Sequence, residues 1–413
     1  MQARSLAVKS ALIMACSSSV LMFGYEMIRS ASNSLFKQAF GVENLAVAMA
    51  FIPFVLLPML YFYNFILNSQ GPKKTFLLSG LLSCIAILIC YFGLLLESKF
   101  AAGLLYLVRE SYVILIIEQM WSFINSILSK NDAKKYNGFI LAISSIGAII
   151  GGLSVHFLTQ SLGCVHLLLL AALSCLPTIF VGNYAFSTMP ESSVKTPKKS
   201  RFAGDHLGIK LFKKEKVLFL ILFMVLSSQV YSTIVTLNFQ TVIQEYSPSL
   251  DRQTSISGLF FAMLHIVSLI FQLIGTPLVL SLISISTVHI VIPIIHMLSA
   301  LLVFFFPGLW SAGISLILFK SIDYSIFRVA KEILYIPLTF DARFRAKELI
   351  DVFGYRFSKS GASLIIGTLQ KFGVYFSTTS YGFVGFLSAF GWIAFVAPIL
   401  KSKRKPKKIK API

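Results

Sequence analysis

Residues 316–364 read LILFKSIDYSIFRVAKEILYIPLTFDARFRAKELIDVFGYRFSKSGASL. The stretch begins as hydrophobic sequence of the kind that spans a membrane, yet its first half holds Lys320, Asp323, Arg328, Lys331 and Glu332. A charged side chain inside a spanning helix costs about 2.5–3.5 kcal/mol on insertion scales, so it usually faces a cavity. The stretch therefore predicts a membrane helix that lines a path for a substrate or an ion.

The cations of this stretch are expected to share one helical face with aromatic rings. At about 100° per residue, one face of an α-helix holds Lys320, Tyr324, Phe327 and Lys331, with Arg328 beside it. Positive charge next to aromatic rings suits an anionic ligand that carries a planar group. The alternative is that Arg328 and Lys331 lie at the cytoplasmic interface and extend their charged ends into water.

The composition is that of a membrane protein. Of the 413 residues, 56% are hydrophobic, and the mean hydropathy of +0.82 is far above that of a soluble protein. Repeated apolar runs of about 20 residues predict several helices in a lipid bilayer. The net charge of +20 does not indicate nucleic-acid binding, because the lysines and arginines gather in a few loops and the tail.

The apolar runs predict twelve membrane spans. They are 8–30, 45–67, 75–96, 103–129, 138–161, 164–186, 217–240, 256–280, 285–306, 309–334, 350–377 and 381–400. Basic residues cluster after the second, fourth, sixth and tenth spans and in the tail, whereas Lys37, Lys99 and Arg252 lie in loops of the opposite side. Both termini are therefore expected in the cytoplasm.

A long basic loop divides the spans into two groups of six. We expect an N-terminal half at 1–186, a basic cytoplasmic linker at 187–216, a C-terminal half at 217–400 and a basic cytoplasmic tail at 401–413. Two six-helix halves joined in this way resemble the major-facilitator architecture, in which repeats surround a site near the bilayer midplane. The expected fold class is thus an all-α, major-facilitator-like membrane protein with twelve helices.

Small residues predict where helices pack closely. Gly147 and Gly151 in the fifth span have the small-xxx-small spacing of membrane helix contacts, and Gly361 and Gly367 lie in the eleventh span. We expect these glycines to form contact surfaces on which the two halves move, without a ligand role.

Charge within the spans concentrates where this architecture has its central path, in spans one, four, seven and ten. The first span carries Glu26, Arg29 and Asn33 on one face, and the fourth carries Arg109, Glu110, Glu118, Trp121 and Asn125. The alternative is that such residues form structural ion pairs which neutralise one another. The histidines have no partner spacing, and no proton relay is predicted for His156, His166, His265, His289 or His296.

The sequence lacks the motifs of soluble enzymes. It has no phosphate-binding G-x-x-x-x-G-K-[ST], no dinucleotide G-x-G-x-x-G and no H-E-x-x-H. Its five cysteines lie in apolar segments without metal-ligand spacing. We therefore expect no enzyme activity, no metal and no cofactor, and transport that is driven by exchange or by an ion gradient.

The stretch after residue 320 also resembles a known family. Lys320–Phe327, then Lys331–Leu338, then Lys347 with Ile350–Ser363 closely resemble the ATP/ADP translocases of plastids and obligate intracellular bacteria. A looser likeness runs through Ile28-Arg29, Glu118–Trp121, Lys134–Tyr136 and Gln244–Pro248. The resemblance implies a twelve-helix transporter of the bacterial inner membrane that exchanges ATP for ADP or takes up nucleotides.

The resemblance also implies roles for single residues. Lys331 matches a lysine expected to contact nucleotide phosphate, while Arg29 and Glu118 match residues of the first and fourth spans. Where the family continues Arg-x-x-Lys-Asp, this chain has Ser32 and Asn33, so two charged groups are missing. Two more charged positions of the family are missing in the seventh span, near Thr236 and Gln240.

These observations together predict a nucleotide transporter that acts as a monomer on a small anionic substrate. The predicted substrate-site residues are Arg29, Glu118, Lys320, Tyr324, Phe327, Arg328 and Lys331, with Trp121 as a further ring that flanks the base. The predicted gating or proton-coupling carboxylates are Glu26, Glu110, Asp323 and Glu332. The alternatives are a carrier for another anionic metabolite, such as a monophosphate, a cofactor precursor or an organic acid, and a membrane scaffold that transports nothing.

Overall fold

The computed structural model describes residues 2–189, 212, 216–335, 350 and 354–402. The first six helices are α1 (Gln2–Phe40), α2 and α3 (the two parts of Leu45–Leu95 that meet at Gly71), α4 (Lys99–Ile127), α5 (Lys130–Leu162) and α6 (Leu167–Ser187). The next six are α7 (Lys216–Tyr246), α8 (residues 250–282), α9 (Ile285–Phe305), α10 (residues 309–335), α11 (Tyr355–Lys371) and α12 (Thr378–Ser402). No strand occurs within these ranges.

This order is consistent with the twelve predicted spans. By length and composition alone, nine helical stretches of the described ranges are suited to cross a membrane; α2 and α3 count as one of them, and α10 and α11 are not included. Parts of the predicted linker and tail, and the stretch with Pro337, Arg343, Arg345, Lys347 and Asp351, lie outside the described residues.

Gly71 separates α2 from α3. Its φ of 76° lies in a region that residues with a side chain rarely adopt, and Pro72 follows directly. Without this break, the 51 residues of Leu45–Leu95 would extend about 77 Å, more than twice the ~30 Å hydrocarbon core of a bilayer. The break therefore produces two spans, in agreement with the sequence prediction.

Ser129 and Asp132 fix the start of α5 eight residues before the predicted span. Ser129 Oγ accepts a hydrogen bond from the Asp132 backbone N–H at 3.2 Å and donates to Asp132 Oδ2 at 2.7 Å. Arg4 of α1 donates to Asp132 Oδ1 at 2.6 Å. The Arg4 bond, followed by the Ser129 bond, holds the pKa of Asp132 below its ordinary value.

A π-helical turn interrupts two helices, at Phe271–Gly275 in α8 and at Asp323–Phe327 in α10. Such a turn holds one extra residue, so the positions that follow it are rotated by about 100° from the α-helical register. The predicted single face through Lys320 and Lys331 assumed an uninterrupted α-helix and is therefore wrong. Both lysines are nevertheless buried.

Residues of the chain group into two compact units. The first contains the described residues up to 189, Gln240–Ile270 and Gly367–Phe372, and the second contains the described residues of 212–239, 271–366 and 373–402. Within the first unit, α1 packs against α4, α5 and α6, and α5 packs against α8. Within the second, α9 packs against α10 and α12. The division into halves at 1–186 and 217–400 stays a prediction.

Close helix contacts in the first unit are made at glycines. A Cβ atom at Gly147 would overlap the backbone carbonyl of Ser19 in α1, and one at Gly151 would lie 2.5 Å from the carbonyl of Phe23. A Cβ atom at Gly367 would likewise lie 2.8 Å from Val47 Cγ2. At Gly361 no atom of the described residues lies within 4 Å of such a Cβ, so these residues give no support to its predicted contact role.

The glycine contacts predict a difference between two matched variants. We expect Gly147→Ala to destabilise the protein by about 1–3 kcal/mol, because the added methyl group must displace the backbone of α1. Gly361→Ala should be neutral or slightly stabilising, because alanine is the better helix former and the space is open. Thermal melting of both variants in detergent measures the difference, and equal melting temperatures would refute it.

Candidate functional site

Glu26 of α1 is the centre of a buried charged cluster in the first unit. Its side chain is 0% exposed. Arg29, one turn along α1, donates from Nη1 to Glu26 Oε1 at 3.1 Å. His265 of α8 places Nε2 at 2.9 Å from the same oxygen. One carboxylate is therefore shared by a guanidinium and an imidazole.

Arg109 of α4 forms the second half of this cluster. Its Nη2 donates to Glu110 Oε1 at 2.7 Å, and its Nη1 donates to Asn33 Oδ1 at 2.5 Å and to Ser32 Oγ at 3.1 Å. Nη1 also lies 3.3 Å from the backbone carbonyl of Arg29. Ser32 and Asn33, which stand where the translocase pattern has lysine and aspartate, thus contact an arginine of the neighbouring helix.

Aromatic rings cover both guanidinium groups. Arg29 Cζ lies 3.7 Å from the ring centre of Phe261 and 5.9 Å from that of Tyr25, and Arg109 Cζ lies 4.2 Å from that of Tyr106. The ring faces stabilise the positive charges away from water. The cluster therefore has two carboxylates, two guanidiniums and a histidine, so its guanidinium and carboxylate charges balance.

His265 is the member of this cluster that the sequence analysis missed. It lies 239 residues from Glu26, and no local spacing connects the two. The sequence predicted no proton relay for His265 and gave no sign of its contact with Glu26. By contrast, the i, i+3 spacing of Glu26 and Arg29 was visible in the sequence, and the structure confirms that they form an ion pair.

Lys37 is a buried lysine near the end of α1. Its side chain is 3% exposed, and Nζ donates to the backbone carbonyl of Gln240 at 3.2 Å. Within the described ranges no carboxylate forms an ion pair with it. The sequence analysis placed Lys37 in a loop, because hydropathy marks only the most apolar part of a helix that continues to Phe40.

Lys320 of α10 is a buried cation of the second unit. Nζ donates to Ser232 Oγ of α7 at 2.7 Å. It also lies 5.4 Å from the ring centre of Phe319 and 5.9 Å from that of Tyr324, so the charge is adjacent to two aromatic rings. The π turn begins at Asp323, whose buried Oδ1 accepts no hydrogen bond from the described residues.

Lys331 lies one helical turn after the π turn and is 3% exposed. Its Nζ is 3.9 Å from Glu332 Oε1 and 4.9 Å from the ring centre of Tyr355 in α11. Since Glu332 is partly exposed, this pair joins a buried cation to a carboxylate that reaches the surface. The burial of Lys331 contradicts the alternative in which it extends into water.

The other predicted site residues differ in burial. Phe327 is 1% exposed and packs edge-on against His289 and Trp392, so it contributes to the core. Arg328 and Glu118 are exposed, and Tyr324 and Trp121 are half-buried. In the described ranges, no cluster of histidine, cysteine and carboxylate side chains has the arrangement of a metal site.

Known sequences resemble the chain over part of its length. The family model described as "TLC ATP/ADP transporter" matches residues 308–402, which include α10, α11 and α12. ADP,ATP carrier protein 3 of Rickettsia bellii (strain RML369-C) is 23% identical over 319 residues, and ADP,ATP carrier protein 5 of Rickettsia typhi (strain ATCC VR-144 / Wilmington) is 26% identical over 289 residues. The chain is thus similar to ATP/ADP transporters, most of all in the segment that holds its last three helices.

The similarity to these carriers covers part of each chain. It includes 65% of this chain and 63% of carrier protein 3, and 59% of this chain and 57% of carrier protein 5. The chain therefore spans less than two thirds of the length of these two carriers.

Solved structures share the fold of this chain. The nucleoside transporter NupG, as a D323A mutant, matches with a TM-score of 0.71 and 12% identity over 96% of this chain and 100% of the other. The peptide transporter PepTSo of the POT family matches with a TM-score of 0.67 and 11% identity over 96% and 99%. The fold is all-α and major-facilitator-like, as the sequence predicted.

The shared carboxylate predicts a large stability effect for one glutamate and none for another. We expect Glu26→Ala to destabilise the protein by about 3–5 kcal/mol, because it removes a buried carboxylate that is paired with Arg29. Glu118→Ala serves as the control, since that side chain is exposed. Thermal melting in detergent measures the difference. A Glu26→Ala protein with the melting temperature of the wild type would contradict a stabilising role of the ion pair.

Proposed function

We propose that this chain is a secondary transporter that moves nucleotides across the bacterial inner membrane, by ATP/ADP exchange or by nucleotide uptake. The observation that carries the proposal is that the family-matched segment contains both buried lysines of α10. The names of the relatives, which are ADP,ATP carriers, support the same substrate class. We further propose that the protein acts as a monomer.

Lys320 and Lys331 are the proposed phosphate contacts. An ammonium group buried among membrane helices is unfavourable unless negative charge is nearby. The charges close to the two lysines are Asp323 and Glu332 of the same helix. An anionic ligand is the proposed partner of this positive charge, and the ring of Tyr324 beside Lys320 is the proposed surface for the planar base. Arg328 is proposed as an outer contact only, because it is exposed.

Arg29 is the proposed anion contact of the first unit. Glu26 forms an ion pair with Arg29, and Glu110 forms one with Arg109. Each carboxylate therefore competes with an anionic substrate for the same arginine. The two carboxylates are therefore proposed as gating groups. A substrate that binds one conformation of the transporter more tightly shifts the population toward it.

A second candidate function is transport of another anionic metabolite. Ser32 and Asn33 replace two charged residues of the translocase pattern, and both contact Arg109. Each charge-assisted hydrogen bond is worth about 1.5–3 kcal/mol, so two missing bonds change substrate preference by orders of magnitude. Lys37 is the one described lysine of α1 that is buried.

Counterflow in proteoliposomes decides between these functions. Vesicles loaded with ADP should take up labelled ATP, and uptake should cease when the vesicles are empty if the exchange is strict. Uptake of another labelled anion in preference to ATP would favour the second function. No flux of any tested anion would indicate a scaffold without transport and would refute the proposal.

Lysine variants test the proposed phosphate contacts. We expect Lys331→Glu to abolish uptake, and Lys320→Gln or Lys331→Gln to raise the KM for ATP by roughly 10- to 100-fold, since each removes one charge-assisted contact. Lys99→Gln is the matched control, because Lys99 is exposed at the start of α4. Membrane insertion should be unchanged in all variants, and wild-type uptake by Lys331→Glu would remove that residue from the site.

The proposed orientation has both termini in the cytoplasm, since basic residues gather in alternate loops. Alkaline phosphatase, which is active only outside the cytoplasm, distinguishes the two sides of the membrane. A fusion after Lys74, between α2 and α3, should be inactive in a bacterial host, and a fusion after Glu97, between α3 and α4, should be active. The reverse pattern would contradict the orientation.

A further inference from the structure

We propose that His265 carries the proton that is coupled to transport: it replaces Arg29 as the counter-charge of Glu26 when Arg29 contacts the substrate. The inference rests on the proposed function in one respect, namely that Arg29 is an anion contact. It extends that function by naming the coupling ion and the residue that holds it.

The geometry places two alternative cations on one carboxylate. Arg29 Nη1 and His265 Nε2 lie 3.1 Å and 2.9 Å from the same oxygen, Glu26 Oε1. The carboxylate is completely buried, and water cannot take over a contact that is lost. If Arg29 turned to a substrate phosphate, Glu26 would be a buried anion without a counter-charge, which is strongly unfavourable.

Protonation of His265 removes this obstacle. The neutral imidazole donates its single N–H to Glu26, and a proton added at the second ring nitrogen makes it a cation. The imidazolium then neutralises Glu26, and the Arg29 guanidinium is available to the substrate. After substrate release, Arg29 returns to Glu26 and neutralises it again. The carboxylate then no longer stabilises a second positive charge, so the imidazolium releases its proton. One proton is thus bound and released in each cycle.

The surrounding groups do not offer a substitute for His265. From α4, Arg109 is held by Glu110, Asn33 and Ser32, and Tyr112 is a phenol that is neutral at physiological pH. Tyr25 of α1 is likewise a phenol. The α5 face against α1 consists of glycines at the closest contacts, and from α6 the thiol of Cys175 interacts with Tyr112. Histidine is the side chain that changes its charge between about pH 5 and 8.

The test is the pH dependence of labelled-ATP uptake in proteoliposomes that contain the full chain. For the wild type, the KM for ATP should rise as the pH increases from 5.5 to 7.5, approaching about tenfold per pH unit when one proton is required. His265→Gln keeps a donor for Glu26 but cannot accept a proton, so its KM should be high and should show only the titration of ATP itself. A pyranine-loaded vesicle should acidify during wild-type uptake and should not acidify with His265→Gln.

Two further variants make the result decisive. His166→Gln, which removes a histidine of the same unit that is bonded to Tyr91, should retain the wild-type pH profile. His265→Lys supplies a fixed positive charge and should transport without pH dependence or proton movement, which keeps the test valid if His265→Gln does not fold. The inference is overturned if either His265 variant follows the wild-type profile. Absence of ATP uptake by the wild type would instead overturn the proposed function.

Discussion

A charge buried among membrane helices must be neutralised by a neighbour, and this requirement organises the polar interior of the protein. Glu26 is completely buried because Arg29 and His265 both contact it. Arg109 is buried because Glu110, Asn33 and a ring surround it. The same requirement selects aromatic neighbours for the guanidiniums, since ring faces stabilise positive charge without adding a negative one.

Most of the fold was predictable from the sequence because a bilayer permits few solutions. Backbone groups in hydrocarbon must bond within their own segment, so each apolar run becomes a helix. The break at Gly71 and the order of the helices followed from the runs and the loops between them. The helix ends were not predictable in this way, because helices continue beyond their apolar part. Ser129 caps such an extension at the start of α5, and the buried Lys37 lies in another at the end of α1.

The site was predictable only where its members are close in the sequence. The i, i+3 spacing indicated the Glu26–Arg29 pair, and the family resemblance singled out α10. The contact with His265 depends on how α8 packs near α1, which no local spacing encodes. The π turn at Asp323–Phe327 likewise has no marker in the periodicity, so helical arithmetic that was correct up to Lys320 failed at Lys331.

The two charged regions differ in a way that bears on reversible transport. In the first unit each guanidinium already has a carboxylate, so an anion that binds Arg29 replaces an existing pair and the net gain in free energy is small. In α10 three cations accompany two carboxylates, so under the proposed function this helix would supply the stronger anion contacts. A transported anion must also be released in each cycle, and a contact that replaces an existing ion pair limits how tightly the anion is held. The balanced cluster around Glu26 would then allow the substrate to leave.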